Sequence, residues 1–458
     1  MADLLSSSSA ATSSPVHLLV LIHGMWGHPG HLAELSRVAQ ETHSLPAADG
    51  TRLEVLLAET NREDSTYDGI DWGGERVAKE IYDKVSELEE TGFNVVKLSV
   101  TGYSLGGLVA RYVVGILMQQ GFFDKVTPVN FNTIATPHIG LPRYPSWLSS
   151  VLSTLGPRLL SRTGEQFYCA DKWSPNGRPL LVVMADPVSL FTRGSEDRIF
   201  YQALTKFQRL GIYANAVNDL TVPYVTAAIE YEDPFAEHET NGIEIIMDDE
   251  YDHVIRSHTL PDTPPAPPVK AVILSRNWFQ GFKPRKPILP PALQLRFPLN
   301  ILLYTMLPVL IPTVISIALV RFTLASHSSR ARIKALEKES RSSPSSSSES
   351  QQQRLVHILA ELEQQMEGTI ADILDDPNPT PSYRPPVPKI RQGAHPILTP
   401  HQRKIVGWLN TLPMEKTLAF FPDVRNAHAM IISRDVKRFP AHRLGEKVIR
   451  HWANSLAF

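Results

Sequence analysis

The chain has 458 residues, with 45 Lys and Arg against 47 Asp and Glu and a formal net charge of −2. That balance lacks the basic excess of an electrostatic nucleic-acid binder. One cysteine, Cys169, excludes an internal disulfide framework and zinc-type cysteine clusters. Hydrophobic residues make up 43% and charged residues 20%, enough for a large core, and the length predicts two or three parts or one large domain with insertions.

Residues 1–14 are Ser- and Ala-rich, without a basic or apolar stretch, and read as a disordered leader rather than a signal peptide. With the lone cysteine, this points to the reducing side of a membrane. Residues 15–230 alternate short apolar runs with helical patterns, the mark of stacked βαβ units and a mostly parallel, doubly wound sheet. His17–Ile22, Leu53–Leu57, Val95–Val100, Val129–Ile134, Leu180–Met184 and Ile212–Val217 are predicted as strands buried on both faces. Gly73–Glu89 and Leu105–Met118 are predicted helices, the second laying Leu108, Val109, Tyr112, Val113 and Ile116 on the sheet. Residues 231–298 form an acidic, then Pro-rich insertion, and Leu299–Val320 is a run of 22 uncharged residues. A low-complexity linker is predicted over 321–353, and an amphipathic helix followed by a Pro-rich linker over 354–400. Residues 401–458 return to globular text, with an apolar patch at Leu418–Phe421 and a strand-like Ala429–Ile432.

Gly102-Tyr103-Ser104-Leu105-Gly106 follows an apolar strand and opens a helix, the setting of a nucleophile elbow. The serine occupies a strained, sharp turn there, and glycines on both sides let strand and helix approach. Earlier, the strand His17–Ile22 runs into His23-Gly24-Met25-Trp26-Gly27. Acyl transfer needs two backbone N–H donors where the oxyanion develops, and Leu105 and Met25 are the candidates. His23 is expected to shape the loop with Gly24, as Gly102 and Gly106 shape the elbow.

In this class of site the acid follows the serine and the histidine comes last. Asp219 stands in the loop after Ile212–Val217, within Asn218-Asp219-Leu220-Thr221-Val222-Pro223, and Asp186 after Leu180–Met184 is its rival. Of the 16 histidines, His428 leads into an apolar run near the C-terminus, whereas His253 and His258 sit in acidic, Pro-flanked text, and His442 and His451 in amphipathic text that suits a surface role. Ser104 as nucleophile, His428 as base and Asp219 as its orienting acid form the expected triad.

These motifs, with Asn61…Thr66-Tyr67-Asp68-Gly69-Ile70 and Asn132-Thr133-Ile134-Ala135-Thr136-Pro137-His138, resemble the lipase-like serine esterase family of the α/β-hydrolase superfamily, over about residues 15–230 and again around His428. Within it the chain is most similar to the fungal lipid-droplet phospholipase branch. The resemblance implies an α/β-hydrolase fold, Ser104 as nucleophile, and hydrolysis of glycerophospholipid acyl esters without a metal or organic cofactor.

Leu299–Val320 is long enough to cross a bilayer, at about 1.5 Å per helical residue. Pro308 and Pro312 interrupt it, and basic residues flank both sides (Lys283, Arg285, Lys286 and Arg296; Arg321, Arg330, Arg332 and Lys334). A true span would part His428 from Ser104 and Asp219, so the expectation is a re-entrant hairpin anchor on a membrane or lipid droplet, with a span or a buried helix as the alternatives. Pro142–Arg162 would give an apolar helix face, either a lid or a packed helix. The reading is a phospholipase-like serine hydrolase at a lipid droplet or the cytosolic face of an intracellular membrane. Its expected partners are a lipid acyl ester and that surface, with no nucleic acid. A neutral-lipid lipase or acyltransferase using the same serine, and a catalytically silent droplet scaffold, are the competing readings.

Overall fold

The computed structural model describes residues 13–174, 176–187, 199–263, 265, 299–342 and 395–458. In chain order the elements are β1 (Ser14–Ile22), α1 (Ala33–Thr42), β2 (Arg52–Leu57), α2 (Ile70–Glu90), β3 (Phe93–Tyr103), α3 (Leu105–Gln119), β4 (Thr127–Ile134), α4 (Trp147–Leu159), α5 (Ser161–Phe167), α6 (Leu180–Ala185), α7 (Ile199–Lys206), β5 (Arg209–Asn215), α8 (Tyr224–Ala227), β6 (Glu244–Met247), β7 (Val254–Thr259), α9 (Leu299–Ser342), α10 (Pro400–Leu409), β8 (Met414–Ala419) and α11 (Glu446–Ser455).

The strands form one sheet in the order β2-β1-β3-β4-β5-β8-β7-β6. β2, β1, β3, β4, β5 and β8 run parallel, and the β6–β7 hairpin closes the edge antiparallel. Helices α2, α3 and α7 pack on one face and α1 with α11 on the other, so the apolar strands are covered on both sides. This is the doubly wound α/β-hydrolase architecture. β8 lies beyond the long insertion yet pairs with β5, from Leu210–Met414 to Asn215–Ala419. Residues before and after α9 therefore belong to one sheet.

Five of the six expected strands are strands. Leu180–Met184 instead lies in α6, whose six residues are all buried. A short run buried all round has neither a 2- nor a 3.6-residue period, and periodicity cannot separate the two states. Ala429–Ile432 is a turn rather than a strand, with Met430 N–H donating to Ala427 O. The insertion after residue 230 is less separate than its composition suggested. Its hairpin extends the core sheet, Val254 and Ile255 are buried, and the His253 ring stacks on Phe421.

The largest departure is α9. The hairpin expected over 299–320 is a continuous helix that passes through Pro308 and Pro312, and it runs on through Ser342, so 321–342 is helix rather than linker. Its first half has exposed apolar side chains on every side, from Leu299 and Ile301 to Leu319 and Val320. Its second half packs on α4, α5 and the turn Glu63–Tyr67. Ser326, Ser329 and Ile333 are buried there on one helical stripe. Serine text looks too polar to bury, but its small side chains let the helix come close and its hydroxyls find partners. The expected amphipathic helix over 354–374 lies outside the described residues, as does most of the leader.

The α2–α3 contact contains an ionisable group with a measurable consequence. Burial raises the Glu75 carboxyl to about 8, opposed by the Tyr112 hydroxyl that donates to it and reinforced by the nearby Asp71 carboxylate. An unfolded Glu ionises near 4.5, so ionisation disfavours the fold increasingly as pH rises from there to about 8. Glu75→Gln should therefore raise the melting temperature by on the order of a few °C at pH 8 and by less at pH 5, read by thermal unfolding at both. An equal gain at both would remove the titration as its cause.

Candidate active site

The site forms at the carboxyl ends of β1, β3, β5 and β8, where open α/β sheets hold their ligands. Ser104 caps α3 directly after β3, with φ 56° and ψ −126°, outside the comfortable regions for a side-chain-bearing residue. Its backbone N–H donates to Ile134 O at 2.8 Å, which helps hold the turn. The elbow tolerates no side chain at Gly106: a Cβ there would lie 2.1 Å from Ile22 O and 2.5 Å from His23 O.

His428 stands in the loop after β8, and Asp219 in the loop after β5. Because those strands are neighbours, a separation of 209 residues closes to hydrogen-bond distance. His428 Nδ1 lies 2.9 Å from Asp219 Oδ2, and Nε2 lies 3.1 Å from Ser104 Oγ. With Nδ1–H donating to the carboxylate, Nε2 is left to accept the serine proton. The two loops are also laced together, by Ala427 N–H to Asn218 O at 2.8 Å and by Asn218 Nδ2 to Phe421 O at 2.9 Å. Tyr103 donates to His428 O at 3.0 Å, and its ring lies beside the imidazole.

The Asp219 side chain is 1% exposed. Burial pushes its carboxyl up, but the His428 imidazole, the Val222 N–H at 2.8 Å and the Asn215 amide at 2.8 Å outweigh that and hold it below the ordinary aspartate value. The acid is thus ionised at neutral pH and faces the imidazole. Asp186 is elsewhere: it follows α6, not a strand, and pairs with Arg178.

Gly24 brings the loop after β1 onto Ser104; a Cβ at Gly24 would sit 2.7 Å from Ser104 Cβ and 3.2 Å from Oγ. Leu105 is the first residue of α3, so its N–H is one of the donors a helix leaves without an intrahelical partner. Met25 follows Gly24 on the other flank of Ser104. Trp26 takes φ 53°, and Thr66 Oγ1 accepts its N–H at 3.2 Å. His23 is buried, its Nδ1 3.1 Å from Gly24 O, and burial lowers its pKa, which fits the shaping role expected of it. The alternative bases are occupied otherwise: His253 Nδ1 bonds Phe420 O at 3.0 Å, and the His258 ring packs on Phe235. His442 and His451 are not plain surface residues either; His442 is buried, and His451 bonds the Tyr213 hydroxyl at 2.9 Å.

Sequence reasoning missed the part of α9 that reaches this region. Phe322 stacks on Trp26, ring centroids 5.8 Å apart. The signal was available in hindsight only as a helical spacing of Phe322, Ser326, Ser329 and Ile333 inside text dominated by serine.

Among curated sequences, the chain is 29% identical over 246 residues to Putative lipase C4A8.10 of Schizosaccharomyces pombe, a match that covers 52% of this chain and 29% of that protein. It is 26% identical over 219 residues to Putative lipase ROG1 of Saccharomyces cerevisiae, covering 47% and 29%. The chain thus aligns with under a third of the length of these relatives. Among solved structures it is similar to the peroxisomal alpha-beta-hydrolase Lpx1 of Saccharomyces cerevisiae, at 13% identity over 47% of this chain and 66% of that one, with a TM-score of 0.25. It is also similar to phospholipase PlaB of Legionella pneumophila, at 14% identity over 31% and 27%, with a TM-score of 0.21. Residues 12–230 match the family described as Putative serine esterase (DUF676), a stretch that contains Ser104 and Asp219 but not His428. That stretch, just under half of the chain, is similar to this serine esterase family and supplies β1 to β5 of the eight-stranded sheet.

Proposed function

We infer that the protein is a serine hydrolase that cleaves acyl esters of phospholipids at a lipid surface. The observation that carries the chemistry is the hydrogen-bonded chain Ser104–His428–Asp219. Ser104 Oγ attacks the ester carbonyl while its proton passes to His428 Nε2, and Asp219 stabilises the imidazolium without taking the proton. The Met25 and Leu105 N–H groups receive the oxyanion. Collapse breaks the ester C–O bond, and His428 returns the proton to the departing glycerol oxygen. Water, deprotonated by His428, then attacks the acyl-enzyme and releases the fatty acid.

Two features favour a lipid over a soluble ester. Among the described residues nothing buries the apolar part of α9, with Leu299 56%, Val309 65% and Val320 57% exposed. Its 22 residues are about 33 Å long, close to the hydrocarbon thickness of a bilayer. Helix α4 presents a second apolar face, with Trp147 78% and Leu152 52% exposed, and packs beside α9. Patches of that extent on a water-facing protein mark interaction surfaces. The surface is read as a lipid droplet or the cytosolic face of an intracellular membrane, in keeping with the single free cysteine.

A fluorophosphonate probe should label wild type and not Ser104→Ala. Fatty-acid release from phosphatidylcholine vesicles should exceed that from a triacylglycerol emulsion, and should fall by about 10³-fold or more in Ser104→Ala. Preference for the emulsion would make the enzyme a neutral-lipid lipase, and equal activity of wild type and Ser104→Ala would end the hydrolase reading.

A further inference from the structure

The Thr66–Asp71 segment is distinctive in the sequence, yet none of its side chains reaches the Ser104–His428–Asp219 chain. Its contacts assign it another task. Thr66 and Tyr67 hold Trp26: Thr66 Oγ1 accepts the Trp26 backbone N–H, and the Tyr67 hydroxyl accepts its indole N–H at 2.9 Å. The next residue, Asp68, is buried and receives three partners: Arg76 from α2, and Ser329 at 2.7 Å and Arg332 at 2.8 Å from α9. Arg332 also donates to Asp64 O at 2.9 Å. Gly69 and Ile70 N–H donate to Thr163 and Gln166 of α5, and the buried Asp71 carboxylate accepts from Arg162, Gln166 and Trp173.

One short loop thereby joins the apolar helix, the α4–α5 pair and the turn that carries Met25. The link is made twice, since Phe322 of α9 stacks directly on the Trp26 ring, nearly parallel at 13°. Trp26 is the place where such a link matters. A bulky side chain at φ 53° is strained and persists only where its surroundings over-determine it. Those surroundings are Thr66, Tyr67 and Phe322. Met25 immediately precedes Trp26, so the placement of its backbone is tied to how Trp26 is held.

We propose that the docking of α9 on Asp68 and Trp26 positions the oxyanion loop, so that the seating of the apolar helix sets the catalytic rate. Asp68, Arg332 and Phe322 are positioning residues that never touch the substrate. The inference rests on Met25 as an oxyanion donor for Ser104. It predicts a defect confined to the transition state, where that N–H bond is strongest, and thus a fall in kcat at unchanged KM.

The test uses the full-length protein and a water-soluble short-chain p-nitrophenyl ester, so that failure to reach a lipid surface cannot lower the rate. Phe322→Ala and Arg332→Gln should each reduce kcat by about tenfold or more at near-wild-type KM, as expected for a donor shifted by a fraction of an ångström. Phe322→Tyr, which keeps the stack, should restore kcat. Co-sedimentation with phosphatidylcholine vesicles should match wild type, because residues 299–320 are intact. Unchanged kcat in both variants, a rise in KM alone, or no rescue by Phe322→Tyr would overturn the coupling. Ser104→Ala runs alongside: if it keeps activity, the reading of the site fails, whereas if it is inactive and the α9 variants are normal, only the coupling fails.

Discussion

His428→Ala should lower kcat on a phospholipid by about 10³-fold or more, and Asp219→Asn by a comparable factor through a different route. Removing the imidazole leaves Ser104 without a base at 3.1 Å. The Asp219→Asn variant keeps the shape but can present its new amide N–H to His428 Nδ1. The imidazole then carries its proton on Nε2, where the serine proton must go, and the base is blocked although every atom is close to its place. The Val222 N–H, which donates to the Asp219 carboxylate at 2.8 Å, would hold the amide oxygen of the variant and so favour the amide nitrogen facing the ring. Steady-state kinetics on Ser104→Ala, His428→Ala, Asp219→Asn and the double variant Ser104→Ala/His428→Ala would check this. The double variant should be little worse than either single one, because the residues act as a unit. Asp186→Asn is the control. Asp186 pairs with Arg178 away from the serine, so the variant should keep kcat near wild type. A large loss there, with Asp219→Asn normal, would reassign the acid.

The site was legible in the sequence where chemistry and local geometry coincide. Gly102–Gly106 announces itself because only glycine survives beside the carbonyls of Ile22 and His23, and that crowding exists wherever a serine sits on this turn. Asp219 and His428 were legible for a weaker reason, their place at the ends of apolar runs, and only the β5–β8 pairing explains why positions 209 apart meet. What stayed hidden are features that long-range packing decides. The α6 run carries no period, the β6–β7 hairpin is disguised by acidic text, and α9 contains two prolines that ought to break it. A proline removes one backbone hydrogen bond and crowds the preceding turn. The loss is tolerated in long helices whose neighbouring bonds remain. The serine text after it resembles linker by composition, whereas its spacing is helical: Ser326 and Ser329 have Ile333 on the same face, and the Arg158 carbonyl and Asp68 as partners.

Gly24→Ala should lower kcat on any ester by on the order of 10²-fold while the protein still folds. Gly24 lies outside the left-handed region, so alanine meets no backbone strain. What it meets is Ser104 and its neighbour: its Cβ would stand 2.7 Å from Ser104 Cβ and 3.1 Å from Tyr103 O. Neither atom is the free end of a flexible chain, since both belong to the elbow that Ile134 and α3 hold in place. The loop must therefore move, and Met25 N–H moves with it. A shift of a few tenths of an ångström to an ångström is small for packing, about 1–3 kcal/mol of stability, but large for a donor whose value depends on pointing at a developing charge. Gly30→Ala separates the two effects. Its Cβ would meet only the His28 ring, 2.9 Å from Cε1, and that ring can swing aside, so kcat should stay near wild type. The pair is read by kcat on the soluble ester and by thermal unfolding. If Gly24→Ala turned over at the wild-type rate, the loop would not be held against Ser104, and the second oxyanion donor would have to come from a backbone N–H other than that of Met25.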